Sequence, residues 1–181
     1  MSRGFPGRMA AAGRYAGASM DLHGLVPWLL FLHVLAAVVA IGPNFAFSTI
    51  RALGRSEPQH ANFGTRVSHA ISARLVYPVG LVIPATGVAM ILILGLDLTA
   101  RANWWLDVAI ATYSGVYLYS FLVQRPIIEQ IIEITASPPS ADAGGPPAGL
   151  PALAARAQRG GSVMLVLLAV VVFLMVVKPQ I

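Results

Sequence analysis

The sequence predicts an all-α, polytopic membrane protein folded as a four-transmembrane-helix bundle. Of its 181 residues, 57% are hydrophobic and only 10% are charged, and the mean hydropathy is +0.74. Soluble domains carry about 25% charged residues, so this chain has too few charges to cover a globule in water. Four apolar runs, at about 25–47, 75–96, 104–123 and 161–177, supply the spans, because ~20 helical residues cross a ~30 Å hydrocarbon core.

Two segments outside the spans are expected to be flexible. Residues 1–21 are rich in Gly, Ala and Arg, which predicts an N-terminal tail ahead of a membrane domain at 22–181. The Pro- and Gly-rich stretch at 136–151 predicts a linker before the last span. Between these segments, residues 48–74 predict a short interfacial helix, and the isoleucine-rich stretch at 127–135 predicts an amphipathic helical extension.

The arginines indicate the orientation of the chain. The first and third connections hold seven basic residues, against five on the opposite side when the tail is counted. Because basic residues stay on the cytoplasmic side, both termini are expected on the outer side of a bacterial inner membrane. We attribute the net charge of +5 to this topology and to anionic lipid, not to nucleic-acid binding.

Polar side chains within the apolar runs are the candidate site residues. His33 and Asn44 are eleven residues apart, so they share one face of the first helix, and the third run carries a polar stripe. The predicted polar residues of the bundle interior are His33, Asn44, Asp107, Tyr113, Tyr117, Ser120 and Gln124. Matching depths predict a contact between His33 and Asp107. Two interpretations stay open: hydrogen bonds that join helices, and a ligand or proton site.

Haem b is the one cofactor that the histidines leave open. His33 could be an axial ligand, but the other three histidines lie outside the spans, which disfavours a bis-histidine haem within one subunit. No cysteine is present, which excludes disulfides, thiolate metal sites and Fe–S clusters. We predict no metal site, no catalytic residue and no obligatory cofactor.

Short motifs carry a family resemblance. At "LHVLAAVVAIGP", "PATG", "NWW", "QRP" and "LMVVKP", the chain resembles an uncharacterised bacterial family of predicted four-helix integral membrane proteins, a domain of unknown function. That family is distantly similar to the copper-resistance D membrane domain and to the J-type protoporphyrinogen oxidases. The resemblance implies His33 in the first span and Lys178 near the C-terminus as the positions to compare.

The expected function is therefore that of an integral membrane protein without an evident catalytic site, free-standing or an accessory subunit of a membrane complex. The alternative is a haem-associated redox or haem-synthesis protein that uses His33. The lipid bilayer is the expected partner, and other membrane subunits or a second copy remain open. Gly80 and Gly87 could give the second helix a close-packing face for such a partner.

Overall fold

The structure is a computed structural model that describes residues 22–136, 147 and 149–179. Four helical stretches within these residues are long and apolar enough to cross a membrane. They cover Leu22–Ser56, Pro58–Leu94, Arg101–Ile134 and Leu150–Val177. The predicted all-α bundle of four membrane-crossing helices is confirmed. The predicted tail at 1–21 and positions 137–146 and 148 of the predicted linker lie outside the described residues.

Six α-helices build these four stretches in the described part of the chain. They are α1 (Val26–Ser56), α2 (Ala61–Ile71), α3 (Tyr77–Leu94), α4 (Trp104–Tyr119), α5 (Arg125–Ile134) and α6 (Leu150–Val177). With 31 residues, α1 is about 46 Å long, which exceeds the ~30 Å of a hydrocarbon core. The two short helices, α2 and α5, fall where the sequence predicts an interfacial helix and an amphipathic extension.

The last helix begins well before the apolar run that predicted it. Gly149 adopts a left-handed conformation, and Pro151 in the first turn has a backbone suited to a helix start. The alanine-rich segment that follows favours a helix. The Gly160–Gly161 pair does not interrupt α6, so this helix reaches far past the 161–177 run.

Two π-helical turns interrupt the long stretches, and each ends two positions before a proline. Ser72–Val76 joins α2 to α3 ahead of Pro78, and Ser120–Gln124 joins α4 to α5 ahead of Pro126. In both turns the amide of the residue before the proline donates to the serine carbonyl five residues back. Because a proline ring clashes with the carbonyl four residues earlier, a widened turn lets the helix continue past it.

The bundle consists of two helix pairs joined at one end. α1 packs along α3, and α4 packs along α6. α2 packs against α1 and α5, and α5 packs against α6, so these two short helices close one end of the bundle, called here the α2–α5 end. Small and branched residues fill the contacts between helices: Ala36, Ala40 and Ile83 between α1 and α3, and Leu106, Ala109, Val171 and Leu174 between α4 and α6.

Large apolar side chains cover the outside of the bundle. Leu92 of α3 and Val176 of α6 are 75% and 76% exposed. In water a surface of this kind would be a liability; in hydrocarbon it is the expected exterior. The outer surface therefore agrees with the bilayer as the solvent of the four long helices.

Candidate functional site

His33 lies on the face of α1 that packs against α3, and it is half-buried. Its Nδ1 is 2.9 Å from Oγ1 of Thr86. The threonine hydroxyl has a single proton, which it donates to the backbone carbonyls of Val82 and Ile83 at 2.7 and 3.0 Å. With that proton on a carbonyl, Oγ1 accepts from Nδ1–H, and in this tautomer the neutral imidazole keeps its lone pair on Nε2.

The contact between His33 and Asp107 predicted from depth does not form. The imidazole bonds to α3 instead. The carboxylate of Asp107 is exposed in the first turn of α4, and it makes no hydrogen bond or ion pair with any described residue. The physical reason is the direction of the helix face: Trp105, Leu106 and Ala109 occupy the buried side of this turn. Asp107 thus lies outside the bundle interior, where an acidic residue near a helix N-terminus is favourable.

The polar stripe of the third stretch faces other helices. Tyr113 donates to the carbonyl of Gly80, Tyr117 to that of Tyr77, and Gln124 to that of Ala157, at 2.7, 3.1 and 2.8 Å. The two tyrosines therefore join α4 to α3, and the glutamine joins the second π turn to α6. In each bond the acceptor is a backbone carbonyl on a helix other than that of the donor, an arrangement typical of interhelical contacts in membranes.

The glycines of the second span serve these contacts within the chain. A Cβ on Gly80 would lie 3.1 Å from the ring of Tyr117 and 3.3 Å from the hydroxyl of Tyr113. A Cβ on Gly87 would lie 3.5 Å from Cε1 of His33. The expected close-packing face of this helix is therefore occupied by α1 and α4.

Asn44 and Ser120 differ from the other polar residues of the stripe. Asn44 follows Pro43, and its amide donates back to the carbonyls of Ala40 and Ile41 at 3.0 and 3.1 Å, within its own helix. The carbonyl of Ser120 accepts the hydroxyl of Tyr77 at 3.3 Å, and its own hydroxyl bonds to no described residue. Both side chains face an open space.

That space is a cavity of about 300 Å³ at the α2–α5 end. Asn44, Ser120 and Gln124 all line it, so the structure brings three of the predicted polar residues together. Both π turns contribute to its wall, the first through Ser72 and the second through Ser120 and Gln124. π turns inside helices are frequent at functional sites. The volume is at the lower limit of small-molecule sites, which are ~300–1,000 Å³.

The cavity wall is basic. Arg51, Arg55, Arg125 and His69 line it. Arg125 donates through Nε to Oε1 of Glu129 at 2.8 Å, and Nε2 of His69 lies 3.8 Å from the same oxygen. One carboxylate thus serves two of the four basic groups, and the wall retains an excess of positive charge. His33 is remote from this cavity, near the opposite end of α1.

A comparison with family models supplies the identification. The model described as "Predicted integral membrane protein (DUF2269)" matches residues 27–179. The chain belongs to this family. No curated protein and no solved structure matches it. The DUF2269 match covers the four long helices, and both His33 and the residues around the cavity fall inside it.

Lys178, the second position implied by the resemblance, directly follows α6 and is the second-last residue of the DUF2269 match. Its backbone is left-handed, with φ of 47°, and its amide donates to the carbonyl of Leu174 at 3.0 Å. Its Nζ lies 5.9 Å from the ring centre of Trp105 on α4. A cation over an indole ring is attracted by the negative face of the ring, so Lys178 joins the ends of α4 and α6.

Several residues that shape the two sites of this DUF2269 chain carry no signal of that role in the sequence. Thr86 stands in the "PATG" motif, yet its role as the partner of His33 needed the packing of α1 on α3. In the sequence Arg51 is one of the seven basic residues of the first and third connections, and nothing there sets it apart. A pattern in the sequence could have found the π turns, because Ser72 and Ser120 each precede a proline by six positions.

Proposed function

We propose that this DUF2269 protein is a non-catalytic membrane protein, free-standing or an accessory subunit of a membrane complex. One observation carries the proposal: polar side chains of the spans direct their hydrogen bonds to other helices of the same chain. His33 bonds to Thr86, and Tyr113, Tyr117 and Gln124 bond to backbone carbonyls. These groups use their donors to hold the bundle together, which is a structural task.

The proposed location is a bacterial inner membrane, with both termini on the outer side. The excess of arginines in the first and third connections supports this orientation. The α2–α5 end, with its basic cavity, then faces the cytoplasm. Labelling of single cysteines introduced at Thr99 and at Gln59, with a membrane-impermeant maleimide, tests it. Reaction in intact cells at Thr99 but not at Gln59 is expected, and the reverse pattern contradicts it.

A partner, where one exists, needs a face other than that of Gly80 and Gly87. Both glycines are occupied by side chains of this chain. Purification in mild detergent, followed by mass determination of the protein–detergent complex, distinguishes the two forms. A stoichiometric second polypeptide supports an accessory subunit, and a monodisperse single chain supports the free-standing form. Turnover of a substrate by the pure protein contradicts the non-catalytic proposal.

A second candidate function is haem association through His33. The favouring observation is the hydrogen bond between Nδ1 and Thr86, which in the Nδ1–H tautomer leaves the Nε2 lone pair available. Histidines that bind metals commonly donate their other ring nitrogen to a neighbour in this way. The proposed distant similarity to the copper-resistance D membrane domain and the J-type protoporphyrinogen oxidases, through His33 and Lys178, points the same way. When bound, haem would supply redox chemistry.

The other histidines limit how a haem could be held. His60 lies past the C-terminal end of α1, and His69 on α2 lines the cavity beside Asn44 and Phe47, roughly 16–21 Å of helix rise from His33. In the described residues, no group of three or more His, Asp or Glu side chains is placed to hold a metal ion. His33 therefore fits as a single axial ligand, or as one of two ligands when two copies share a haem.

Visible absorbance tests the haem candidate directly. Protein expressed with a haem precursor should show a Soret band that is lost in His33→Ala and kept in His60→Ala, a matched control at an exposed position. Thr86→Val should retain the band but shift it, because the ligand loses its hydrogen-bond partner. A colourless preparation, or a band that survives in His33→Ala, rejects this candidate.

A further inference from the structure

We propose that the cavity at the α2–α5 end binds an anion with several oxygen atoms, a phosphate or carboxylate group, through the guanidinium of Arg51. This inference goes beyond the proposed function, since it assigns a ligand site that does not depend on whether the protein has a partner subunit. It rests on three observations: an unpaired guanidinium, the donors available in the wall and the charge of the wall.

The Arg51 side chain is half-buried and crosses from α1 to α6. A Cβ on Gly161 would lie 3.3 Å from Nη2, so the guanidinium rests on the glycine backbone. Among the described residues it has no hydrogen bond and no ion pair. A guanidinium carries five N–H donors, and a charged group taken out of water is costly unless it is paired. The arrangement is therefore completed by an acceptor from outside the chain.

Apart from the Ser120 hydroxyl, the neutral polar side chains of the wall named here donate to carbonyls of the chain. Ser68, Ser72 and Thr65 donate their hydroxyl protons to carbonyls one turn earlier, at 3.0, 2.9 and 2.8 Å. The amide of Asn44 donates to its own helix. The main free donors are thus the guanidinium groups, whose planar fork matches the paired oxygens of a carboxylate or phosphate.

The charge of the wall selects for a negative ligand. Arg55 lies one turn from Arg51, and its Nη1 donates to the neutral Oε1 of Gln158 at 3.4 Å, which leaves its charge uncompensated. Glu129 is engaged by Arg125 at 2.8 Å. A cation would be repelled by the arginines of the wall, whereas an anion is attracted by them and gains most in a partly dry cavity.

The same chemistry is present in a soluble phosphate or carboxylate and in the headgroup of an anionic phospholipid. Apolar side chains also line the cavity, among them Phe47, Ile50 and Ile128, so the wall can accept an acyl chain or an apolar part of a solute. The shared element is the oxygen-bearing anionic group at Arg51. The two sources are separated by the experiment.

The test measures thermal unfolding of the full chain in dodecyl maltoside micelles, followed by tryptophan fluorescence. In one arm inorganic phosphate is titrated against chloride at equal ionic strength. In the other, the micelles contain phosphatidylglycerol or, as control, phosphatidylcholine. A saturable rise in Tm with phosphate or with phosphatidylglycerol is expected, because a ligand that binds only the folded state stabilises it.

Variants assign the effect to Arg51. In Arg51→Gln the apparent Kd should rise at least about tenfold, the effect expected when a hydrogen bond to a charged group is lost. Arg66→Gln, at an exposed position on α2 away from the cavity, should change it less than about twofold. Arg51→Lys keeps the charge but not the fork, so it should fall between these two. It also covers the case in which Arg51→Gln does not fold.

Each result decides the proposal. A rise in Tm with phosphate identifies a soluble anion as the ligand, and a rise in Tm with phosphatidylglycerol alone identifies a lipid headgroup. In either case the ligand must bind more weakly to the Arg51 variants. Equal effects of phosphate and chloride, together with equal effects of the two lipids, overturn the proposal. So does a Kd that is the same in Arg51→Gln, or in Arg51→Lys where only that variant folds, as in Arg66→Gln.

Discussion

Replacement of Gly160 by alanine is expected to destabilise the bundle at the contact between α6 and the second π turn. A Cβ at this position would lie 2.6 Å from Oε1 of Gln124 and 2.7 Å from the hydroxyl oxygen of Tyr119. Neither neighbour can move freely. The Gln124 amide is held by its bond to the carbonyl of Ala157, and the Tyr119 ring packs against Val116 and its cluster.

The size of the effect follows from these contacts. Overpacking of a well-packed contact costs roughly 1–3 kcal/mol. Displacement of Gln124 also breaks a hydrogen bond between helices, worth about 0.6–1.7 kcal/mol in membrane proteins. Alanine is the better helix former by about 1 kcal/mol, which offsets part of the loss. The net loss in the free energy of unfolding is therefore roughly 1–4 kcal/mol, by the same central values.

Gly115→Ala is the matched control, because a Cβ on this exposed glycine of α4 meets nothing within 4 Å. It should leave stability unchanged or raise it by up to about 1 kcal/mol. Unfolding in mixed micelles, with the fraction of sodium dodecyl sulfate as denaturant, measures both variants. Equal stability of Gly160→Ala and Gly115→Ala would refute the close approach of α6 described above.

Three further changes test other contacts. Tyr113→Phe removes the donor to the Gly80 carbonyl and should cost about 0.6–1.7 kcal/mol in the same unfolding assay; a neutral result contradicts that bond. Thr86→Val removes the hydrogen-bond partner of His33 and should cost about 1 kcal/mol; unchanged stability contradicts a contribution from this bond. In the loop at 95–100, the Asp97 carboxylate accepts from a threonine hydroxyl and amide, which lowers its pKa. The stability that this loop contributes is present above the unfolded pKa of Asp97 and is lost as the pH falls through the lowered folded pKa. In Asp97→Asn the free energy of unfolding should therefore fall less than in the original chain as the pH drops below about 5.

The sequence was sufficient for the architecture because hydrocarbon leaves a chain few options. Backbone groups in a bilayer must bond internally, so apolar runs of sufficient length become helices whatever their detailed packing. Tyr113, Tyr117 and Gln124 follow the same physics, since each donates to a backbone carbonyl of another helix. A stripe at helical spacing determines a face, and a polar face in lipid has to meet protein.

The pairing of side chains could not be derived in the same way. Depth alone places His33 level with both Thr86 and Asp107, and the choice depends on the rotation of α4, which turns Trp105 inward and the carboxylate outward. The cavity depends on the π turns, where one hydrogen bond differs from that of an α-helix. In a count of charges Arg51 is equivalent to any other arginine. That its guanidinium lies against Gly161 of α6 without a hydrogen-bond partner is visible only in the folded structure.

The two widened turns have a consequence for comparison among relatives. A π turn holds about one more residue than an α turn, and one residue rotates the following side chains by about 100° around the helix axis. In a homologue with a single-residue deletion between Ser120 and Pro126, an ordinary α turn in place of the π turn would therefore keep Ile127 and Ile131 on the same side of α5. The number of residues from each serine to its proline, more than the identity of any one residue, should therefore distinguish homologues that keep the cavity from homologues that have lost it.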